Sequence, residues 1–181
     1  FVYYETLKNR YPNVRILTWK KEFNYSAINN FAVREAQGEY LLFLNNDVEI
    51  ITENWLEEML QLCQQKDVGM VGAKLYYPDD TIQHAGVVVG LGGVAAHVLC
   101  KLPRDAEGYM GRLRCVQEIS AVTAACMMVK TSVFKAVGGF DEELKVAFND
   151  IDLCMKVRKY GVKIVFTPYA ELYHYESKSR G

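Results

Sequence analysis

The chain has 181 residues, 50% hydrophobic and 24% charged, which is enough to bury one sizeable core and too little for two ordinary ones. A net charge of -1 and a pI near 6.4, with no Lys/Arg block interleaved with aromatics, exclude a general polyanion binder, so no nucleic acid is expected as a partner. No apolar run approaches a membrane span and the chain reads as soluble; its five scattered cysteines contain no CxxC pair and read as buried thiols of a reducing cytosol.

In chain order, residues 1–10 read as the end of a helix, followed by a turn at Tyr11-Pro12-Asn13 and a short strand over 14–17. An α/β domain normally opens on a strand carrying its first ligand loop, so this opening is either an unusual start or that of a fragment lacking its first βα unit. From Ser26 to Gln37, apolar residues at Ile28, Phe31, Ala32 and Ala36 have helical spacing, with Asn24 or Ser26 available as cap and Gly38 as stop. The apolar run Tyr40–Leu44 follows, and its unbroken character suits a strand covered on both faces, as central parallel strands are. A second helix is expected from Thr52, with Glu53 in its first turn and a stripe of Trp55, Leu56, Met59, Leu60 and Cys63.

Strand-like pieces at 68–77 and 86–93 lead into a polar, Gly-bearing stretch to about Arg114, expected as loop with some antiparallel strand. The segment 115–130 contains another buried strand, Thr131 begins a short helix, and Gly138-Gly139 ends it. A last helix spans about Asn149 to Tyr160, closed by Gly161, before the strand VKIVFTP and the tail YAELYHYESKSRG. One glycine-rich stretch, Gly90 to Ala95, formally satisfies G-x-G-x-x-A, the signature of a dinucleotide-dependent oxidoreductase. That motif needs a helix immediately afterwards; only a few residues precede Pro103, so the stretch reads as a hairpin or loop.

Three clusters could carry chemistry. In open α/β sheets ligands bind at the carboxyl ends of strands, and Asn45, Asn46 and Asp47 stand at such an end. One carboxylate between amides is a hard-oxygen set that suits Mg²⁺ or Mn²⁺ shared with phosphate oxygens and waters, although the same residue types also cap turns. In FNDIDLCMKVRKYG, Asn149 is the natural helix cap, which places Asp150 in the first turn, where a helix N-terminus favours the carboxylate form. Such a group can orient a hydroxyl and accept its proton late; ordinary dipole pairing would also place acids there. The third is His174, which follows a strand and precedes Lys178 and Arg180, two cations that could meet a phosphate.

Together these clusters bear a resemblance. The segments NNFAVREAQGEYLLFLNNDVEI, GMVGAKLYYPDDTIQHAGVVVGLGG, SAVTAACMMVKTSVFKAVGGFDEEL, FNDIDLCMKVRKYG and ELYHYESKSRG resemble, in order and over nearly the whole chain, the family 2 glycosyltransferases of the GT-A fold, in the bacterial branch that assembles rhamnose-rich and other surface polysaccharides. The resemblance implies an α/β fold with a Rossmann-like, mostly parallel sheet flanked by helices. It implies inverting transfer of a sugar from a nucleotide-diphosphate donor to a saccharide or lipid-linked saccharide, in the cytoplasm or at the inner membrane face, with Mg²⁺ or Mn²⁺ as cofactor.

Carried over residue by residue, Asn45-Asn46-Asp47 matches the D-x-D metal and diphosphate motif, with Asp47 as its carboxylate. Asp150 matches the acid that deprotonates the acceptor, His174 the late histidine on metal or diphosphate, and Thr123, Ala124 and Asn149 fall on the acceptor side. Residues 1–77 would be the remainder of the nucleotide-sugar half and 78–181 the acceptor half of a single partial domain.

Asn45 and Asn149 depart from the family pattern, where acids are common, and the opening strand with its VDDGS-like segment has no match. A chain so truncated is expected to bind donor poorly and to expose apolar surface that could pair two copies. The alternative is a non-catalytic glycan-binding or scaffolding module.

Overall fold

The computed structural model describes residues 2–176. Helix α1 (Val2–Arg10) comes first, and residues 11–24 carry no strand; Ile16 and Leu17, expected in one, lie exposed with no partner strand beside them. Helix α2 (Tyr25–Glu35) is capped by Asn24, whose side chain accepts from Ala27 N–H at 2.9 Å. It ends earlier than its periodicity suggests, because Ala36 is already extended, and Gly38 is not needed as its stop.

Strands β1 (Tyr40–Leu44) and β2 (Val48–Ile50) flank the Asn-Asn-Asp corner. Helix α3 (Trp55–Cys63) starts three residues later than expected, because the Thr52 hydroxyl is engaged elsewhere, accepting from Glu171 N–H at 3.1 Å. Then come β3 (Val68–Tyr76), β4 (Ile82–His84), β5 (Val87–Val89), β6 (Ala95–His97), β7 (Gln117–Glu118) and β8 (Cys126–Lys130). Helices α4 (Thr131–Ala136) and α5 (Asn149–Tyr160) and the long strand β9 (Lys163–His174) complete the described chain.

The main sheet runs β1-β8-β3-β9-β2, with β4 on β3 and β7 on β9. Its direction corrects the expectation of a mostly parallel sheet: only β3 and β9 pair in parallel among the described strands, and the other pairings are antiparallel. Burial on both faces does not set strand direction, and β3 illustrates why. All nine of its residues are buried; Met70 and Tyr76 face the cluster that includes Phe43, Phe134 and Leu153, while Val71, Ala73 and Leu75 face Trp55, Met59 and Cys63 of α3. Alternation of two buried faces produces a continuous apolar run whichever way the neighbours point.

Two features position the site. A Cβ on Gly72 would lie 2.5 Å from Val122, so the absence of a side chain in β3 lets the segment 119–125 settle on the sheet. The glycines at 90–93 form the turn of the β5–β6 hairpin, where Gly90 N–H donates to Val94 C=O at 2.7 Å, and no helix follows. The dinucleotide signature is thereby ruled out by its own structural requirement, and His97 is brought to the hairpin's end.

The cysteines form no disulfide; Cys63, Cys126 and Cys154 are buried, with burial pushing the Cys63 thiol up to about 11 and Cys126 to about 12, whereas Cys100 is half-buried and Cys115 exposed, against the expectation of five buried thiols. No helix among the described residues is long and apolar enough to cross a membrane.

Candidate functional site

One cavity of about 920 Å³ opens at the end of β1, lined among others by Asn45, Asn46, Asp47, Thr123, Ala124, Asn149, Asp150 and His174. All the sequence-predicted site residues that can be placed thus share one wall-to-wall space; Lys178 and Arg180 lie outside the described residues.

The corner is built by pairing. Antiparallel β2 and β9 set Val48 opposite His174, and Tyr175 N–H donates to Asp47 C=O at 2.9 Å, which places the carboxylate beside the imidazole. His174 stands at the last position of a twelve-residue strand, not in a tail, and is 7% exposed. Its orientation comes from Gln83 in β4. The Gln83 amide nitrogen donates to His174 C=O at 3.2 Å and to Glu176, so the amide oxygen faces His174 Nδ1 at 2.7 Å. A carbonyl oxygen only accepts, so Nδ1 carries the proton and Nε2 presents a lone pair, towards which the Asn45 amide donates at 3.2 Å.

That lone pair lies 3.2 Å from Asp47 Oδ1, yet Oδ1 is buried without a hydrogen-bond partner among the described residues: the two atoms are close but not aligned as donor and acceptor. A buried carboxylate oxygen and an imidazole lone pair converging without a proton between them is unfavourable unless a cation neutralises it. Adjacent ligands of an octahedral ion at roughly 2.1 Å stand about 3 Å apart, so this separation fits Mg²⁺ or Mn²⁺. No group of three or more His, Cys, Asp or Glu gathers for a metal among the described residues.

In the same cavity, Asp150 accepts from Ile151 N–H at 2.8 Å through Oδ1 and from Ala124 N–H at 3.3 Å through Oδ2. Each oxygen has a second lone pair, so the carboxylate is fixed in place while remaining able to accept from a ligand. Asn149 is not the cap of α5: Phe148 takes that position with φ 62, and Asn149 is buried in the first turn, its amide donating to Leu144 C=O at 3.4 Å. A left-handed non-glycine residue two positions before Asp150, lining the same cavity, is strain located where the chemistry would be. The acid two positions on, Asp152, pairs with Lys156 at 2.7 Å instead.

Sequence reasoning missed several wall residues. Tyr25 donates to Ala124 C=O at 3.2 Å, and burial, aided by Asp150, pushes its phenol far above the ordinary range. His97 and Glu176 also line the cavity. Gln83 and His84 sit inside a segment that carried the resemblance, but nothing local distinguishes them from ordinary strand residues.

A family model described as "Glycosyltransferase like family" matches residues 11–178. The chain belongs to the glycosyltransferase-like family. Among curated relatives, this glycosyltransferase-like chain is 57% identical over 169 residues to the uncharacterized protein y4gI of Sinorhizobium fredii, covering 93% of this chain and 19% of that protein. It is 42% identical to the O-antigen biosynthesis protein RfbC of Myxococcus xanthus, over 93% of this chain and 13% of that one, so it spans under a fifth of either relative.

Two solved structures share its architecture at low identity. GalNAc-T7 with UDP, GalNAc and Mn²⁺ aligns with a TM-score of 0.74 at 13% identity, over 96% of this chain and 34% of that one. The mannosyltransferase PcManGT from Pyrobaculum calidifontis, in complex with GDP-Man and Mn²⁺, aligns at 0.68 and 15% identity, over 97% and 44%. The glycosyltransferase-like chain therefore has the GT-A fold.

Proposed function

We propose that the chain is the catalytic domain of an inverting glycosyltransferase that moves a sugar from a nucleotide-diphosphate donor to a hydroxyl of a saccharide or lipid-linked saccharide, in surface-polysaccharide synthesis at the cytoplasmic side of the cell membrane. Residues 1–77 supply the remaining donor half and 78–181 the acceptor half. The observation that carries the reading is that Asp47 with His174, and Asp150 with Ala124, line one and the same cavity. The O-antigen biosynthesis protein of Myxococcus xanthus among the chain's relatives supports the polysaccharide setting.

Asp47 and His174 would hold Mg²⁺ or Mn²⁺, which supplies positive charge where the leaving diphosphate becomes more negative. Everything else is done by the chain itself. Gln83 fixes the imidazole so that its lone pair faces the corner rather than the strand. Asp150, held through both oxygens by backbone N–H groups, accepts the proton of the attacking hydroxyl. For inversion in one displacement, the hydroxyl that Asp150 engages would attack the sugar from the face opposite the departing diphosphate, and holding both partners in the cavity supplies much of the acceleration.

The test is calorimetric titration of UDP, GDP and deoxythymidine diphosphate with and without Mn²⁺, on this chain and on Asp47→Ala. Binding that requires metal and is lost in the variant is expected. Because Asp47 Oδ1 has no hydrogen-bond partner among the described residues, metal-free Asp47→Ala should melt no lower than the parent. Nucleotide binding that ignores both metal and Asp47 would sink the assignment, and binding of saccharide alone would favour a glycan-binding module.

A further inference from the structure

The cavity wall beside Asp150 contains a histidine to which none of the steps above gives a role. His97, at the end of β6, lines the cavity with its ring packed on His84: its Nδ1 lies 2.9 Å from Nδ1 of His84, which is fully buried in β4. The two rings meet edge to face, with centroids 5.0 Å apart. Both titrate below the ordinary histidine range, chiefly through burial, which outweighs the pull of Asp150 and Glu176 on His97. Both rings are therefore neutral, and each carries one N–H.

A contact between two nitrogens at this distance needs one proton between them, which leaves two arrangements. If His97 donated, His84 would carry its own proton on Nε2, an atom that is buried with no partner among the described residues. An orphaned buried N–H is rarer and less tolerable than an unpaired acceptor. The favoured arrangement has His84 Nδ1–H donating to His97 Nδ1, which puts the His97 proton on Nε2, the ring nitrogen not used by His84, on a residue that lines the cavity.

The charges near that proton define what it meets. Asp150 and Glu176 are its ionisable neighbours among the described residues. Two carboxylates repel an anion but accept from hydroxyls, so the wall suits a neutral, oxygen-rich ring. We propose that His97 contacts the acceptor saccharide, its Nε2–H, fixed by His84, donating to a sugar oxygen next to the hydroxyl that Asp150 engages. This rests on the transferase reading for the role of Asp150. His84 is then a positioning residue that selects the tautomer.

The chain has three histidines, so long-range proton–nitrogen correlation spectra of ¹⁵N-histidine-labelled protein resolve them, with assignment by His97→Gln. We expect His84 as the Nδ1–H tautomer and His97 as Nε2–H. With UDP and Mg²⁺ present, adding methyl glycosides of rhamnose, glucose, galactose and N-acetylglucosamine should shift His97 Nε2 for at least one of them. The affinity for that glycoside should fall about 3- to 10-fold in His97→Leu, the loss of one neutral hydrogen bond, and recover in His97→Gln, with UDP affinity unchanged. His97 as the Nδ1–H tautomer, or undisturbed by every glycoside while UDP still binds, overturns the inference. UDP binding independent of metal, with His97 still shifted by a glycoside, sinks the transferase reading and leaves saccharide contact at His97 standing.

Discussion

Replacing Gln83 by Leu tests the metal corner without touching either proposed ligand. Gln83 is 4% exposed, and its amide oxygen accepts the His174 Nδ1 proton at 2.7 Å while its nitrogen donates to His174 C=O at 3.2 Å. Leu keeps the bulk and removes both. Loss of the group that orients a ligating imidazole typically costs 10–100-fold in metal affinity, or about 1.4–2.7 kcal/mol. An N–H left buried without a partner costs about 1–3 kcal/mol of stability, which at roughly 2–4 °C per kcal/mol for a domain of this size lowers Tm by about 2–12 °C. The assay is Mn²⁺ titration by calorimetry at 15 °C in saturating UDP, with circular dichroism confirming that the variant is folded. If Mn²⁺ affinity stays within about twofold of the parent while Tm falls as expected, then Gln83 is only a core residue, and the case for His174 Nε2 as a lone pair prepared for a metal fails.

Three further outcomes follow from particular contacts. Asp150→Asn keeps one oxygen, to accept from Ile151 N–H at 2.8 Å, gives up the longer contact with Ala124 N–H and loses the capacity to take a proton, so turnover should fall about 10²–10⁴-fold with nucleotide affinity unchanged; an equal loss in binding would show that the carboxylate anchors donor instead. Gly72→Ala puts a methyl 2.5 Å from Val122 and should destabilise by about 1–3 kcal/mol, with partial recovery in Gly72→Ala/Val122→Ala; additive effects in denaturant melts would refute the packing argument. His84 and His97 are held below the ordinary histidine range, so between their folded values and about 6.5 the unfolded chain binds more protons. Stability should therefore fall as pH drops through about 6.5, by up to about 1.4 kcal/mol per unit for each group, and a melting temperature flat from pH 7.5 to 5 would contradict it.

The legible parts of this molecule were those whose signal is local. Tyr40–Leu44 and Val68–Tyr76 announce themselves as buried strands by unbroken apolar character, and Asn24 announces the start of α2 by its capping side chain. Strand direction was not legible, because β1 is apolar for reasons of burial and its antiparallel partner β8 lies far along the chain. The three-residue strands β2 and β4 have no period to detect and exist only through the neighbours that pair with them. For the site, Asp47, Asp150 and His174 could be named from motif spacing and resemblance, whereas Gln83 acts on His174 across 91 residues and His84 reaches His97 across a hairpin. Those links are set by sheet register, which no window along the sequence contains.

The replacement of an acid by Asn45 makes sense once the corner is seen as one carboxylate and one lone pair. A second carboxylate there would face His174 Nε2 with no proton to share, adding a second unsatisfied oxygen to the one Asp47 already presents. Asn45 donates to Nε2 instead, while Asp47 Oδ1 stays unpartnered among the described residues. The consequence is a site with a single formal negative charge, too little to retain a divalent ion strongly by itself, since Mg²⁺ and Mn²⁺ give up water reluctantly and are held by charge and phosphate oxygens. The metal and the donor diphosphate would then bind as one unit, each completing the other's coordination.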